Sequence, residues 1–437
     1  MTPANNIWLA YYGDDFTGST DALEFATRAG AKAILFLDPP NADMLNRFGN
    51  PDVIGVAGKT RALSPTDMEA QLLPAFSALQ KLQPMHVHYK VCSTFDSSAH
   101  IGSIGKAIDC GVNIFGRRCI PVIGGAPVLG RYCVFGNLFA RMGIGSNGNI
   151  YRLDRHPSMS KHPVTPADES DLRLHLAKQT TQSMDLVDVV ALENSSATWG
   201  KKTKHEGVLL FDVLTENHLQ SIGHWLYEQG AALPFSVGGS SVEMALGYAW
   251  QQHKLCEERT NWTAPGEVSP LLVVSGSCSP VTAAQITWAK SQGFVDIKID
   301  ATGIAENGGY DENATKAAVD QLQQGRHVIV HTGDFKEKNL PSEKLGTCLG
   351  MIARMAMASF PVKRLVIAGG DTSSYAARAL QIEAVEMIAP IVVGAPLCRA
   401  YAADPAIDGL QVNFKGGQVG GEDYFGLLQQ GNWKYQA

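Results

Sequence analysis

Short apolar runs recur along the chain, each followed by a loop rich in Gly, Ser or Asp and then by an amphipathic stretch. The first unit reads IWLAYY, GDDFTG and STDALEFATRAG, and it ends at Gly30, a natural helix stop. The second half restarts the pattern at LLVVSGSCSP, where Ser279 and Pro280 are suited to begin a helix. Strands that alternate with helices at this spacing predict an α/β fold with mainly parallel sheets flanked by helices in both halves.

Two stretches depart from this regular pattern. Pro74 falls inside a helical stretch that begins at Ser64 and Pro65, so a break or a kink is predicted there. Residues 143–168 have no strong periodicity, and a connection of that length inside a compact protein is often functional.

The length of the chain, 437 residues, exceeds what one ordinary core serves, so two domains are expected. The polar stretch 254–270 is the natural place to divide them, which gives domains of residues 1–255 and 256–437. The composition, 45% hydrophobic and 18% charged with a net charge of -6, is typical of an ordinary enzyme. No block of Lys and Arg is present, which disfavours a nucleic-acid partner.

The sequence lacks the patterns of secreted, membrane-spanning and zinc-binding proteins. The N-terminus lacks a secretory pattern, and no run approaches the ~20 apolar residues of a membrane helix. The eight cysteines form no C-x-x-C pairs, so we expect reduced thiols and a cytoplasmic protein. His86 and His88 alternate on a predicted strand, but a metal site there requires a third ligand.

The loop GDDFTGST has the glycine spacing of a phosphate-binding P-loop, but it lacks the Lys and carries Asp14 and Asp15 instead. Each carboxylate would oppose a nearby phosphate by about 1–4 kcal/mol. Carboxylates at a helix start suit sugar hydroxyls, and one can act as a general base toward an alcohol. The alternative is that Asp14 or Asp15 only caps the helix.

Basic residues follow several predicted strands of the same domain, namely Lys59, Arg61, Lys90 and Arg131. Together with the two aspartates they predict an anionic, polyhydroxylated ligand. His162, in the long connection, is either a further ligand contact or a solvent-facing histidine.

Glycine- and serine-rich loops follow other predicted strands, at 237–241, 275–280, 368–374 and 414–421. Backbone amides and hydroxyls at helix starts bind phosphates, and glycine lets the backbone approach closely. The loops therefore indicate a nucleotide site, with tight strand-to-helix turns as the alternative for each loop alone.

These motifs, in this order, resemble the four-carbon acid sugar kinases, a family once grouped as a domain of unknown function. The resemblance spans nearly the whole chain and rests on GDDFTGSTDA, YKVCSTFDSS, GGAPVLGRYCVFGNLF, HPVTPADESDL, VGGSSVEMALGYAW, VVSGSCSPVTAAQI, AGGDTSSYAARAL and LQVNFKGGQVGGEDYF. It implies an N-terminal acid-sugar domain, a C-terminal ATP domain and a reaction in the cleft between them.

The resemblance also implies roles for residues. The substrate contacts would be Asp14, Asp15, Arg61, Lys90 and the STFD stretch, which includes Ser93. We expect Asp15 to orient or deprotonate the attacking hydroxyl, with Asp14 or Asp96 as the alternatives. ATP contacts would be Ser275, Ser277, Gly369, Gly370, Asp371, Thr372, Gly416 and Gly417. Mg²⁺ is expected with ATP, but no carboxylate is assigned to it.

Two departures from the family pattern affect the expected substrate. The form CSTFDSS, where many members have DSTLRG, favours a 3-oxo-tetronate over D-threonate or D-erythronate. The late motif is KGGQVG rather than KSGNFG, which leaves room for a branched substrate such as 3-oxo-isoapionate.

The altered motif also leaves open a different function, a sugar-acid sensor with a vestigial nucleotide site. A nicotinamide-dependent oxidoreductase is disfavoured because GIGSNG, at 143–148, has its third glycine one position early. The sequence leaves homo-oligomerisation open.

Overall fold

The structure of the protein is a computed structural model, and it describes residues 7–142, 148–162, 164–194, 196–204, 206–333 and 340–432. Most of the GIGSNG sequence therefore lies outside the described residues. The chain forms two compact units: the first runs through Ile34 and continues over Asp38–Thr260, and the second comprises Leu35–Leu37 and the chain from Asn261 onward.

The first unit is built on a parallel sheet with the strand order β3-β1-β4-β11-β5-β10-β9, and a small antiparallel sheet has the order β6-β7-β8. Over the described residues, its strands are β1 (Leu9–Gly13), β2 (Ala33–Phe36), β3 (Val53–Ala57), β4 (His86–Lys90), β5 (Cys119–Ile123), β6 (Arg131–Val134), β7 (Asn137–Arg141), β8 (Ile150–Arg152), β9 (Met184–Val187), β10 (Gly207–Phe211) and β11 (Phe235–Gly238). Strands β1, β3, β4, β5 and β10 are buried along their whole length. This burial explains the mainly apolar sequences of β1, β3, β5 and β10, whereas β4 buries His86, His88 and Lys90.

The helices of the first unit connect these parallel strands. In the described part they are α1 (Phe16–Ala29), α2 (Ala42–Arg47), α3 (Pro65–Lys81), α4 (Ile104–Phe115), α5 (Leu172–Ala177), α6 (Val189–Leu192), α7 (Ser196–Trp199), α8 (Glu216–Gln229) and α9 (Ser241–Gln252). Helix α1 begins at Asp15 as its N-cap and ends at Gly30, which has a φ of 108°. Gly30 fits because it adopts the left-handed region without strain.

The core of the first unit contains an aromatic cluster beneath β1 and β4. Phe76 of α3 contacts Tyr12 and Tyr89 edge-on, with ring centroids 6.2 and 6.0 Å apart. It also lies 5.5 Å from Phe235, which stacks on Phe115 at 5.1 Å. Aromatic pairs at these separations add to the burial term, so this cluster fixes α3 and α4 against the strands that carry the site.

The second unit has a sheet with the order β13-β14-β12-β15-β18-β17-β16, in which the first five strands are parallel and the last two antiparallel. Its strands are β12 (Leu272–Ser275), β13 (Val295–Lys298), β14 (Val328–His331), β15 (Arg364–Ala368), β16 (Ile382–Val392), β17 (Ala395–Ala402) and β18 (Gln411–Lys415). The helices among the described residues are α10 (Pro280–Ser291), α11 (Ala301–Asn307), α12 (Glu312–Gln323), α13 (Ser342–Ser359), α14 (Gly370–Ala379) and α15 (Tyr424–Gln430). Leu35 and Phe36 are grouped with this unit because they pair with β16.

The predicted α/β class with mainly parallel sheets is confirmed, and three details differ. The predicted break at Pro74 is wrong, because α3 runs through that residue. Pro74 and Ala70 are both exposed, so the carbonyl that loses its helical hydrogen bond faces water. The stretch 143–168 contains the short edge strand β8, and the antiparallel pair β16–β17 was not anticipated. Among the helices of the described residues, none combines the length and the apolar character that crossing a membrane demands.

Candidate active site

Strand order places the loops of the first unit side by side. Strand β1 lies between β3 and β4 in the sheet. The chain therefore places β3 on one side of β1 and then crosses over to place β4 on the other side. Gly13, the last residue of β1, is in register with Ala57 of β3 and Lys90 of β4. In open parallel sheets, ligands bind beyond the carboxyl ends of strands at such a reversal point. The loops after β1, β3 and β4 therefore form the first place to look for a site.

Asp14, Asp15 and Arg61 form a three-residue ion cluster at this edge. Arg61 donates from Nη2 and Nε to the two carboxylate oxygens of Asp14, at 2.7 and 3.0 Å, and from Nη1 to Asp15 Oδ2 at 2.8 Å. The backbone holds the same geometry, since the Arg61 amide donates to Asp14 O at 3.0 Å. Both carboxylates are buried, whereas the Arg61 side chain is 23% exposed. The Arg61 side chain is thus held in place by the two carboxylates and remains partly exposed to solvent.

Lys90 completes what we call the acid–base cluster, defined as Asp14, Asp15, Arg61 and Lys90. Its buried Nζ lies 3.4 Å from Asp21 Oδ2 and donates to Val91 O at 3.0 Å. Burial lowers the pKa of the Lys90 amine, but the carboxylates of Asp21 and Asp14 outweigh that effect and the pKa is raised. Lys90 is therefore a permanent cation.

Gly18 brings the first turn of α1 close to the two cations. A Cβ atom at this position would lie 3.2 Å from Lys90 Nζ, 3.6 Å from Arg61 Nη2 and 2.6 Å from Asp15 Oδ1. This position also lies in the first turn of α1, where the helix dipole favours negative charge. We call this position, beside Gly18 and close to Lys90 and Arg61, the Gly18 notch.

The two aspartates differ in their hydrogen bonds. Asp15 is the N-cap of α1: its Oδ1 accepts from Gly18 N at 2.7 Å and its Oδ2 from Thr17 Oγ1 at 2.8 Å, in addition to Arg61. Burial is the main reason that the pKa of Asp14 is raised, against the opposing effect of Arg61. A carboxylate with a raised pKa is a stronger proton acceptor than an ordinary carboxylate.

The loop after β4 holds Ser93 and Asp96, and its backbone is strained. Phe95 has a φ of 53° and is buried, which is uncommon for a bulky residue and typical of functional loops. Asp96 has a buried Oδ1 atom with no hydrogen-bond partner among the described residues. Ser93 is partly buried and lies beside Gly239 of the loop after β11. This loop therefore carries a buried carboxylate oxygen, Asp96 Oδ1, whose hydrogen-bonding capacity the described residues do not satisfy.

Arg131 lies at the start of β6 and has no carboxylate within ion-pair distance in the described part of the chain. Its Nη1 donates to Leu129 O at 2.9 Å and to Arg141 O at 3.2 Å, and its buried Nε has no partner there. Burial lowers its pKa, partly offset by nearby groups that include Asp96. His162, by contrast, accepts from Thr165 N and Oγ1 at 3.1 Å, and no recorded contact joins it to the acid–base cluster.

Sequence reasoning missed the acidic groups behind Lys90. Asp21 is on α1 and Glu243 on α9, and both resemble ordinary helix charges in the sequence. Glu243 Oε1 lies 2.6 Å from Nδ1 of His88, and both side chains are fully buried. His86 instead contacts Leu233 O and Ser236 Oγ, and no metal-binding group of three or more His, Cys, Asp or Glu occurs in the described ranges.

The second unit assembles three of the four predicted nucleotide loops in the same way, whereas the loop 237–241 follows β11 in the first unit, beside Ser93. Strand β15 lies between β12 and β18, so Ser275, Ala368 and Lys415 end neighbouring parallel strands. The loops that follow them are close: a Cβ atom at Gly276 would lie 2.4 Å from Thr372 Oγ1. Residues 275–282, 369–372 and 415–417 form what we call the glycine–hydroxyl edge.

Glycine is required at several points of this edge. Gly369 has a φ of 124°, and a Cβ there would lie 2.7 Å from Thr372 Oγ1 and 3.4 Å from Ser277 N. A Cβ at Gly417 would lie 3.2 Å from Ser277 Oγ. The structure thus brings together Ser275, Ser277, Gly369, Gly370, Thr372, Gly416 and Gly417, with Asp371 exposed in the first turn of α14. Two helix N-termini and bare backbone at this edge are suited to phosphate groups.

Comparison with known proteins matches a different family model to each of the two parts of the chain. The family model described as "Sugar-binding N-terminal domain" matches residues 9–246, and that described as "Nucleotide-binding C-terminal domain" matches residues 272–425. A sugar-binding domain joined to a nucleotide-binding domain defines the class of phosphotransferases that act on sugars. The chain belongs, more narrowly, to the four-carbon acid sugar kinase family. The sensor and the oxidoreductase therefore have no support.

Characterised relatives cover almost the whole chain. The "3-oxo-isoapionate kinase" of Paraburkholderia graminis is 40% identical over 97% of this chain and 94% of that protein. The "3-oxo-tetronate kinase" of Cupriavidus necator is 26% identical over 97% of both chains.

Solved structures share the fold. A Salmonella typhimurium LT2 protein described as a putative tRNA synthase has a TM-score of 0.74 at 23% identity, covering 99% of this chain and 100% of that one. The Haemophilus influenzae protein HI1011 has a TM-score of 0.67 at 21% identity, covering 96% of this chain and 99% of that one. At these identities the likeness concerns the fold alone.

Proposed function

We propose that this protein transfers the γ-phosphoryl group of ATP to the terminal hydroxyl of a branched 3-oxo acid sugar of the 3-oxo-isoapionate type. The observation that carries the proposal is the pairing of two unlike edges: an acid–base cluster in the first unit and a glycine–hydroxyl edge in the second. The 40% identity to a 3-oxo-isoapionate kinase supports the substrate, since relatives named for 3-oxo-tetronate are 24–28% identical.

The first unit would bind the acid sugar. Lys90 and Arg61 flank the Gly18 notch, which is suited to the substrate carboxylate. Arg131 is a buried guanidinium without an ion-pair partner among the described residues, so a second anionic or carbonyl oxygen would stabilise it. Ser93 would supply a hydroxyl contact. His162 is the weakest of the expected contacts, because Thr165 already occupies its Nδ1.

Asp14 would act as the base, with Asp96 as the alternative, and Asp15 would keep the helix start and Arg61 in place. In this reaction the terminal hydroxyl gives its proton to the carboxylate, its oxygen forms a bond to the γ-phosphorus, and the bond to the β-phosphate oxygen breaks. The products are ADP and a phosphate ester. Most of the rate enhancement in phosphoryl transfer comes from positioning and charge neutralisation, which the fixed cations supply.

The second unit would bind ATP. The backbone amides of residues 370–372, in the first turn of α14, and the hydroxyls of Ser277 and Thr372 are suited to the phosphates. The exposed Asp371 carboxylate in the first turn of α14 fits Mg²⁺ held mainly by phosphate and water. Bound there, Mg²⁺ would neutralise charge on the phosphate oxygens.

An ADP-release assay over a panel of acid sugars tests this proposal. We expect the highest kcat/KM with 3-oxo-isoapionate, lower values with 3-oxo-tetronate, and the lowest with D-threonate and D-erythronate. Phosphorus NMR of the product should show one new ester on a terminal carbon. A higher kcat/KM for 3-oxo-tetronate would favour the second candidate, which the CSTFDSS sequence supports, and ADP release with none of the four would contradict both.

A further inference from the structure

Lys415 is a buried amine at the centre of the glycine–hydroxyl edge that sequence reasoning did not single out. It ends β18 and is fully buried. Its Nζ donates to Thr282 Oγ1 and Gly416 O, both at 2.9 Å, and lies 3.5 Å from Gly417 O. One side chain therefore joins the end of β18, the late glycine turn and the first turn of α10.

All the groups that face this amine are neutral. Helix α10 contributes the Thr282 hydroxyl, the turn contributes two carbonyls, and α15 contributes the Tyr424 ring, 5.7 Å from Nζ. The Tyr424 hydroxyl is itself bonded to Asn413 Oδ1 at 2.9 Å. The described residues place no carboxylate within ion-pair distance of Lys415. Burial without a counter-charge lowers the pKa of Lys415 to about 7.

A chain of hydroxyls connects Lys415 to the predicted phosphate loop. Thr282 Oγ1 lies 3.0 Å from Ser277 Oγ and donates to Gly417 O at 3.2 Å. Ser277 Oγ in turn accepts from the Ser279 amide at 3.3 Å. The orientation of these hydroxyls depends on how Lys415 donates to Thr282. A change in the protonation of Lys415 can therefore affect Ser277 through two hydrogen bonds, Lys415–Thr282 and Thr282–Ser277.

We propose that Lys415 is a positioning residue that takes up a proton when a nucleoside triphosphate binds and then fixes Ser277 and the Gly416–Gly417 turn through Thr282. The inference rests on the proposed ATP site of the second unit. A polyphosphate beyond the ends of β12, β15 and β18 supplies the missing negative charge, which favours the ammonium form. The proton comes from the buffer, and no bond to carbon or phosphorus changes.

Calorimetric titration of the full chain with the non-hydrolysable analogue AMP-PNP and Mg²⁺ tests this. At pH 8, the heats in two buffers of different ionisation enthalpy give the number of protons taken up. We expect an uptake approaching one proton for the wild type and an affinity that falls up to about tenfold per pH unit above pH 7. Uptake in Lys415→Met should be close to zero, while uptake in Lys363→Met, an exposed lysine of the same unit, should match the wild type.

The outcomes are distinguishable. Binding of AMP-PNP to the wild type without proton uptake overturns the inference and leaves the ATP site intact. Equal uptake by Lys415→Met and the wild type also overturns it. Absence of AMP-PNP binding to the wild type overturns the nucleotide site of the proposed function and the inference together. Thermal unfolding of Lys415→Met should match or exceed the wild type, because the change removes a buried amine that lacks a charged partner.

Discussion

Filling the Gly18 notch is the most informative single change in the first unit. In Gly18→Ala the new methyl group would lie 2.6 Å from Asp15 Oδ1, well inside contact distance, so Asp15 or the first turn of α1 must move. The same methyl group would occupy the space within 3.2 Å of Lys90 Nζ and 3.6 Å of Arg61 Nη2. We therefore expect acid-sugar binding to suffer while the fold persists.

The magnitude follows from two contacts. Moving Asp15 weakens its bond to Gly18 N, worth about 1 kcal/mol as a helix cap, and its charged bond to Arg61, worth about 1.5–3 kcal/mol. The sum, about 2.5–4 kcal/mol, corresponds to a loss of about 70- to 1000-fold in kcat/KM for the acid sugar. The stability change is smaller, because alanine has a better helix propensity than glycine by about 1 kcal/mol.

Steady-state ADP release at saturating ATP, with the acid sugar varied, measures this effect. KM for ATP should stay within about twofold of the wild type. Gly200→Ala is the matched control: no atom of the described residues outside its immediate chain neighbours lies within 4 Å of its Cβ position, so its kinetics should be unchanged. A Gly18→Ala enzyme with wild-type kcat/KM and a wild-type unfolding temperature would refute the notch as the anion site.

Three further changes test other parts of the account. Asp14→Asn should lower kcat by at least about 100-fold. Asp15→Asn keeps an oxygen that can cap the helix and weakens only the charged bond to Arg61, so it should lower the free energy of unfolding by about 1 kcal/mol and change kcat much less than Asp14→Asn does. Steady-state kinetics and urea unfolding of both variants measure these effects. Gly276→Ala places a methyl group 2.4 Å from Thr372 Oγ1, so nucleotide affinity should fall at least tenfold in a fluorescent-nucleotide titration without a change in acid-sugar affinity. Burial and the neighbouring His88 lower the pKa of His86 to about 3, so the unfolded chain binds the extra proton between about pH 6.5 and 3. The free energy of unfolding should therefore fall toward acid by up to about 1.4 kcal/mol per pH unit, and His86→Gln should remove that slope.

Each of these predictions has a contrary result. Equal loss of kcat in the two Asn variants would remove the distinction between Asp14 and Asp15. Unchanged nucleotide affinity in Gly276→Ala would separate that loop from the nucleotide. The acid slope should persist in His100→Gln, an exposed histidine, and a His86→Gln slope equal to the wild type would show that His86 is not the group responsible.

The sequence was sufficient to predict the class of fold and the loops that converge. Asp14 and Arg61 follow the strongly apolar strands β1 and β3, Lys90 ends β4, and parallel strands place their carboxyl ends at one edge. The glycine loops of the second unit converge for the same reason, and their close approaches account for the choice of glycine at positions 276, 369 and 417.

What could not be predicted depends on packing between distant elements. Asp21 and Glu243 are buried behind Lys90 only because α1 and α9 pack beside each other, and no local pattern distinguishes them from surface charges. Lys415 stands next to two glycines, and its burial follows from Thr282 and Tyr424 far away in the sequence. Asp15 as the cap and Asp14 as the raised carboxyl could be separated only once Arg61 and Gly18 were placed.

The central claim is that the two edges bind different ligands, and hydrogen exchange of the full chain tests it directly. AMP-PNP with Mg²⁺ should protect backbone amides in 276–282, 369–374 and 416–421 and leave 13–20 unchanged. The acid sugar, added alone, should protect 13–20 and 59–63 and leave the later loops unchanged. Protection of 13–20 by AMP-PNP, with the later loops unaffected, would contradict the account.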